Sequence, residues 1–256
     1  MKRVAENQDR AQTERNKYVY EQHVRVDIRR TNGKLAREEV ADLLVLPAAK
    51  GSTKRTQSLK GQYWKHGQYL AFTGEPAPDS GSLDGSLAKS FREDLISGDS
   101  KDGMAKDLFP LTTDEQKNYK FKLKEETVVS GRAAYHIAFS PADKDDFTWA
   151  GEALIDKEEF EPVSVYTRLS RRIPLFVRTM LGTDLPGLGF NTQYRRVGPN
   201  IWFPASFGTE FHLHAVFFIN RVITVSMESS GFKRTSTDSD VHYNDSSTEG
   251  PKPKQW

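Results

Sequence analysis

A single, strongly curved antiparallel β-sheet is predicted: mainly β, an unclosed half-barrel with helices covering its concave side. Three observations predict it. Segments of period-two alternation follow one another from Val24 to Met227. Tight-turn residues separate them. From Tyr119 onward no helical pattern stands between the strands, which argues against parallel βαβ units.

The elements follow in order. Residues from Met1 to about Lys17 are polar with good helix formers. They predict a solvated helix with few apolar anchors that must lean on the domain. Val24, Val26 and Ile28 alternate with Arg25, Asp27 and Arg29, and Asn32-Gly33 signals a hairpin into Leu35 to Leu46. Between Ala48 and Ser82 the aromatic cluster Tyr63-Trp64 and Tyr69 to Phe72 predicts one short strand in a Gly/Ser/Lys/Thr-rich stretch. Leu83, Leu87, Phe91 and Leu95 recur every four residues, a helix stripe that Gly98 would stop.

Tyr119 to Lys124 and Ala133 to Phe139 alternate around a turn at Val129 to Arg132. Trp149 to Ile155 and Val163 to Leu169 alternate around Asp156 to Glu159. Phe190 to Val197, Ile201 to Phe207, Thr209 to Phe218 and Arg221 to Met227 complete a meander. About nine to eleven strands are too many for a flat sheet, so it should curl. Residues 1–243 are expected to form one domain, and 244–256 a disordered tail.

Composition limits the function classes. Lys+Arg 37 against Asp+Glu 35 leaves +2 with the signs interspersed, so no nucleic acid is expected as partner. Cysteine is absent, which removes disulfide and thiolate chemistry. No run approaches the ~18 apolar residues of a membrane span. Met1-Lys2-Arg3 leads into polar residues and no secretory leader is legible, so the chain is either cytoplasmic or was processed before this start. No Gly-x-Ser-x-Gly elbow and no Gly-Lys-Ser/Thr phosphate loop occurs, and no catalytic residue, cofactor or enzymatic activity is expected. The paired acids Asp145-Asp146 and Glu158-Glu159 fall in turns, where such acids are ordinarily solvated.

Two constellations stand out. Ile173 to Phe190 is too apolar for a surface loop. It is read either as a plug in the mouth of the sheet or as a flap over an apolar ligand. Phe176, Met180, Leu181, Leu185 and Phe190 are its candidate contacts, and Phe211, Leu213 and Phe217 the sheet side of the groove. Arg171 and Arg172 beside it suit an anionic headgroup, although a solvated strand end is the blander reading. In Glu210-Phe211-His212-Leu213-His214, alternation places Glu210, His212 and His214 on one face, a weak zinc arrangement. His23 and His136 also fall on predicted strands, with nothing in the sequence to bring them near.

The run Trp149 to Asp156, followed by Pro162-Val163, resembles a hairpin of the outer-membrane lipoprotein-sorting carrier-like family. Tyr18-Val19-Tyr20, Gly131 before Tyr135-His136-Ile137, Pro186 to Phe190 and Ile201 to Pro204 are similar to other segments of it. The resemblance spans roughly Tyr18 to Met227. It implies an unclosed β-barrel wrapped over helices, an apolar groove, no enzymatic activity and an envelope, periplasmic location. The expected ligand is an acyl chain, a lipid or a lipidated protein, held by a monomer. A sensory or scaffolding module with an envelope protein partner is the alternative, and a zinc-binding protein the third.

Overall fold

The computed structural model describes residues 1–48, 52–75, 82–96, 110–143, 149–169, 183–184, 188–215 and 219–235. The expected tail lies outside them. The element order is α1 (Lys2–Arg15), β1 (Tyr18–Arg30), β2 (Leu35–Pro47), β3 (Ser52–Lys65), β4 (Gln68–Thr73), α2 (Leu83–Ile96) and α3 (Thr113–Gln116). It continues with β5 (Tyr119–Val129), β6 (Arg132–Pro141), β7 (Trp149–Asp156), β8 (Pro162–Leu169), β9 (Thr183–Asp184), β10 (Gly189–Gly198), β11 (Ile201–Ala215) and β12 (Ile219–Arg234).

One antiparallel sheet in the order β4-β3-β2-β1-β12-β11-β10-β8-β7-β6-β5 contains the strands, with β9 paired to β11 off this path. It is not closed, and among the described residues β4 and β5 are its edges. Two details differ from the sequence reading. The stretch after Ala48 forms a 14-residue strand and a second of six residues, because long β2 offers pairing partners out to Pro47. The two strands expected between Ile201 and Phe218 are one continuous strand from Ile201 to Ala215, since Gly208 pairs in the ladder rather than breaking it.

The register divides the sheet into two faces. Cross-strand partners share a face, so Val26, Val225 and Thr209 lie with their neighbours Phe207, Thr192, Val165, Ala153 and Ile137 on one side. That side holds the core. Val24, Val26, Ile28, Leu43, Leu59, Phe211, Ile223 and Val225 pack there with Ala88 of α2. Ile137, Phe139, Ala153, Ile155 and Val165 pack there with Val4 of α1 and Leu111. Both helices therefore cover the same, concave face. The opposite face is laced with ion pairs such as Arg25–Asp27, Arg25–Glu38 and His136–Glu152.

Polar groups fix both helices. In α1, Val4, Gln8, Ala11 and Arg15 recur at helical spacing and are all buried. Gln8 Nε2 donates to Glu161 Oε2, Arg15 Nη2 to Gln8 Oε1, and Arg15 Nε to the Trp202 carbonyl at 2.7 Å. The helix expected to have few anchors is thus pinned by a stripe that hydrophobicity alone does not reveal. Short α3 closes the end of α1: Asp9 accepts from the Thr113 backbone N–H, and Gln116 donates to the Met1 carbonyl.

Beneath α2, the core-facing positions of β2 opposite Val26 and Ile28 are Glu39 and Arg37. Arg37 bonds Glu39 at 2.7 and 2.8 Å, and Arg92 of α2 reaches Glu39 at 3.4 Å and Glu75 at 2.8 Å. Arg37 also lies 5.1 Å from the Phe72 ring centre and 5.4 Å from that of Tyr63, over both ring faces. Asp84, in the first turn of α2, takes a two-pronged bond from Arg221 of β12.

Glu39→Ala leaves Arg37 buried without its carboxylate and is expected to cost about 3–5 kcal/mol in urea unfolding. Glu161 is fully buried, and burial pushes its carboxyl up from 4.5 to about 7 against the lowering pull of Arg15 and Gln8. The folded state then holds a proton that the unfolded state has lost. Stability accordingly falls as pH rises from about 4.5 to about 7 and stays low above it. Glu161→Gln should flatten that slope and exceed the wild type by roughly 1–3 kcal/mol at pH 8 in urea melts.

Candidate functional site

The concave face carries a row of rings where the two helix-covered clusters meet. Trp149 of β7 packs edge-on against Phe190 of β10 at 5.3 Å between centres. Phe190 stacks on Phe207 of β11 at 5.4 Å. Gly151, opposite Thr167 on β8, clears the floor nearby: a methyl there would collide with the Tyr166 carbonyl and the Phe139 ring. Leu188 joins the row, and Leu188, Trp149 and Phe190 are only half-buried, whereas Phe207 is buried. Phe211 continues along β11 into the cluster beneath α2, where Phe91 meets it edge-on at 5.6 Å. The expected groove contacts Phe211 and Leu213 are both buried in that cluster.

The structure thus brings Phe190, Phe211 and Leu213 to one face. Phe176, Met180, Leu181, Leu185, Phe217, Arg171 and Arg172 lie outside the described residues. Trp149 and Phe207 were legible as strand residues, but only the register shows that they flank Phe190. No local signal in the sequence carries that.

Two members of the weak zinc arrangement share one face, as alternation requires. Glu210 and His212 project from the convex face, and Glu210 accepts from the Thr224 hydroxyl at 3.1 Å. His214 lies on the same strand, pairing with Asp184 and Asn220 through the backbone. His23 bonds Asp42 at 2.7 Å, on a strand two places from β11. His136 sits between Glu152 at 2.8 Å and Glu125 at 3.3 Å. The hydrogen bond to Glu152 chiefly, with Glu125 behind it, holds His136 above its ordinary value. Among the described residues no three His, Asp or Glu side chains group to hold a metal ion. Nor is Glu159 a solvated turn acid: Arg196 reaches it at 3.0 Å and Trp202 Nε1 donates to it at 2.8 Å.

A cleft of about 420 Å³ opens on the convex face, opposite the aromatic row. The cross-strand row Tyr166, Asn191, Gly208, Ser226 is small at its centre, and Gln193, Glu210 and Glu228 stand around the hollow. The lining is polar and carries two carboxylates, unlike the concave strip.

No protein-family model matches the chain, and no curated protein matches it. Solved structures do. A DUF1329 family protein from Desulfovibrio piger is 12% identical, with TM-score 0.42 over 93% of this chain and 92% of that one. A domain named for outer membrane lipoprotein sorting, from Vibrio parahaemolyticus, is 12% identical, with TM-score 0.40 over 91% and 92%. A LolA superfamily protein from Nitrosomonas europaea is 10% identical, with TM-score 0.35 over 91% and 93%.

Two glycines test the two faces. A methyl on Gly208 comes no nearer than 4.0 Å to its closest neighbour, the Val225 carbonyl. Gly208→Ala is therefore expected to raise stability by about 0.4–1 kcal/mol, by restricting the unfolded chain. Gly151→Ala should lower it by about 1–3 kcal/mol through overpacking. Urea midpoints of the two variants moving in the same direction would contradict the assignment of close and open approach.

Proposed function

We propose that the chain is a non-enzymatic binding or carrier protein for an apolar ligand, an acyl chain, a lipid or a lipidated protein, in the bacterial cell envelope. The observation that carries this reading is the half-buried row Trp149, Phe190 and Leu188 on the concave face, beside buried Phe207. A core needs its rings fully covered. Rings left half-covered on the inside of an open sheet gain stability by receiving hydrocarbon. Burial contributes about 0.8 kcal/mol per methylene, so ten methylenes are worth about 8 kcal/mol. The sequence resemblance of residues 18–227 supports the envelope location.

In this reading Phe176, Met180, Leu181 and Leu185 form a flap that adds to the row, and Phe217 adds to the sheet wall. Arg171 and Arg172 meet the ligand's anionic head. Phe211 and Leu213 act from below, by holding the floor of the strip against α2.

Native mass spectrometry of the purified protein is expected to show a co-purified lipid mass. Combining Phe176→Asp with Met180→Asp should abolish it. Phe190→Asp should weaken binding of a dansyl-labelled fatty acid at least tenfold, with the β-sheet circular dichroism unchanged. A bare chain that also fails to bind the labelled acid overturns the lipid reading in favour of a protein partner, and a zinc increment overturns it in favour of a metal.

A further inference from the structure

We propose that the joined tips of the β1–β2 and β3–β4 hairpins form a docking surface for an anionic lipid bilayer. Both hairpins turn at the same end of the sheet, because Arg37 of β2 pairs with Tyr63 of β3 just before their outer turns. Tyr69 ties the two tips together by donating its hydroxyl to the Leu35 carbonyl at 3.1 Å. Both turns are tight. Gly33 has φ 79°, and His66 and Gly67 have φ 50° and 84°. They therefore hold their side chains on a rigid frame rather than on a long loop.

Two features meet on this frame. Trp64 and Tyr69 are 39% and 45% exposed, among the most exposed large rings of the described residues, and they touch edge-on at 4.9 Å. Residues 29–35 and 64–69 also contain Arg29, Arg30, Lys34 and Lys65 and no carboxylate. The acids nearest along the strands, Asp27 and Glu38, stand behind the tips and are engaged by Arg25, Arg29 and Gln62. The whole chain carries only +2, so this cationic end is a local concentration of charge.

Amphipathic rings next to cations, at the blunt end of a sheet, match a bilayer boundary. Trp and Tyr settle at headgroup depth, and Lys and Arg are drawn to anionic lipid within a Debye length. A single-stranded nucleic acid fits less well. It needs open ring faces to stack on, and here each ring is packed against the other.

The test is co-sedimentation with vesicles. The wild-type chain should pellet with vesicles of mixed phosphatidylcholine and phosphatidylglycerol, stay in solution with phosphatidylcholine alone, and be released by raised salt. Combining Arg30→Glu with Lys34→Glu should lower the partition at least tenfold, and Trp64→Ala should lower it several-fold. Lys34 and Trp64 are exposed and Arg30 is half-buried at the strand end, so these substitutions should leave the circular dichroism and the binding of the labelled fatty acid unchanged, and the outcome is separate from that of the ligand strip. Equal pelleting with neutral and anionic vesicles, wild-type partition of the double variant, or binding to an oligonucleotide without binding to vesicles would each overturn the proposal.

Discussion

An open antiparallel sheet with one apolar face has to be covered by something other than itself. A closed barrel satisfies both needs at once, since its interior faces only itself and its last strand meets its first. Here the path runs from β4 to β5 without closing, and the two large apolar clusters lie on one face. Among the described residues two helices supply that cover at separate places, α2 over β1 and β2 and α1 over the β6–β8 region. What lies between those two covers is the part of the molecule free to do something else, and the aromatic row occupies it.

Polar chemistry decides where the covers sit. Apolar contact alone is non-directional, and a short amphipathic helix could slide along a greasy sheet. Arg92 meeting Glu39, Asp84 meeting Arg221, and Gln8 meeting Glu161 each have one geometry. Buried charge of this kind is a poor source of stability but a good source of position. It also explains how a chain with only 36% hydrophobic residues fixes its helices: part of the core on the concave face is ionic.

Much of this was legible in the sequence. Period-two alternation located the strands, Asn32-Gly33 and Ser130-Gly131 located turns, and the stripe Leu83, Leu87, Phe91 located α2, because these patterns arise within a few residues. The α1 anchors were not, since Gln8 and Arg15 look solvated until Glu161 and Trp202, more than 150 positions away, are brought to them. Nor was the length of β3, whose polar residues are strand only because β2 pairs with them. The row Trp149, Phe190, Phe207 depends on register across four strands, as does the hollow at Gly208. Register is a long-range property that no window of sequence contains.

The two unpaired borders have one more consequence, which concerns crowding. Each presents a line of backbone donors and acceptors that another chain could use as a template. The border at β4 is only six residues long. That at β5 is longer, but it carries Lys120, Lys122 and Lys124 in alternation and a bulge between Leu123 and Glu125, so a flat neighbour would meet both like charge and a twist. A fold that gives up closure thereby gains an accessible interior, and it guards against self-association by keeping one rim short and the other charged and bent.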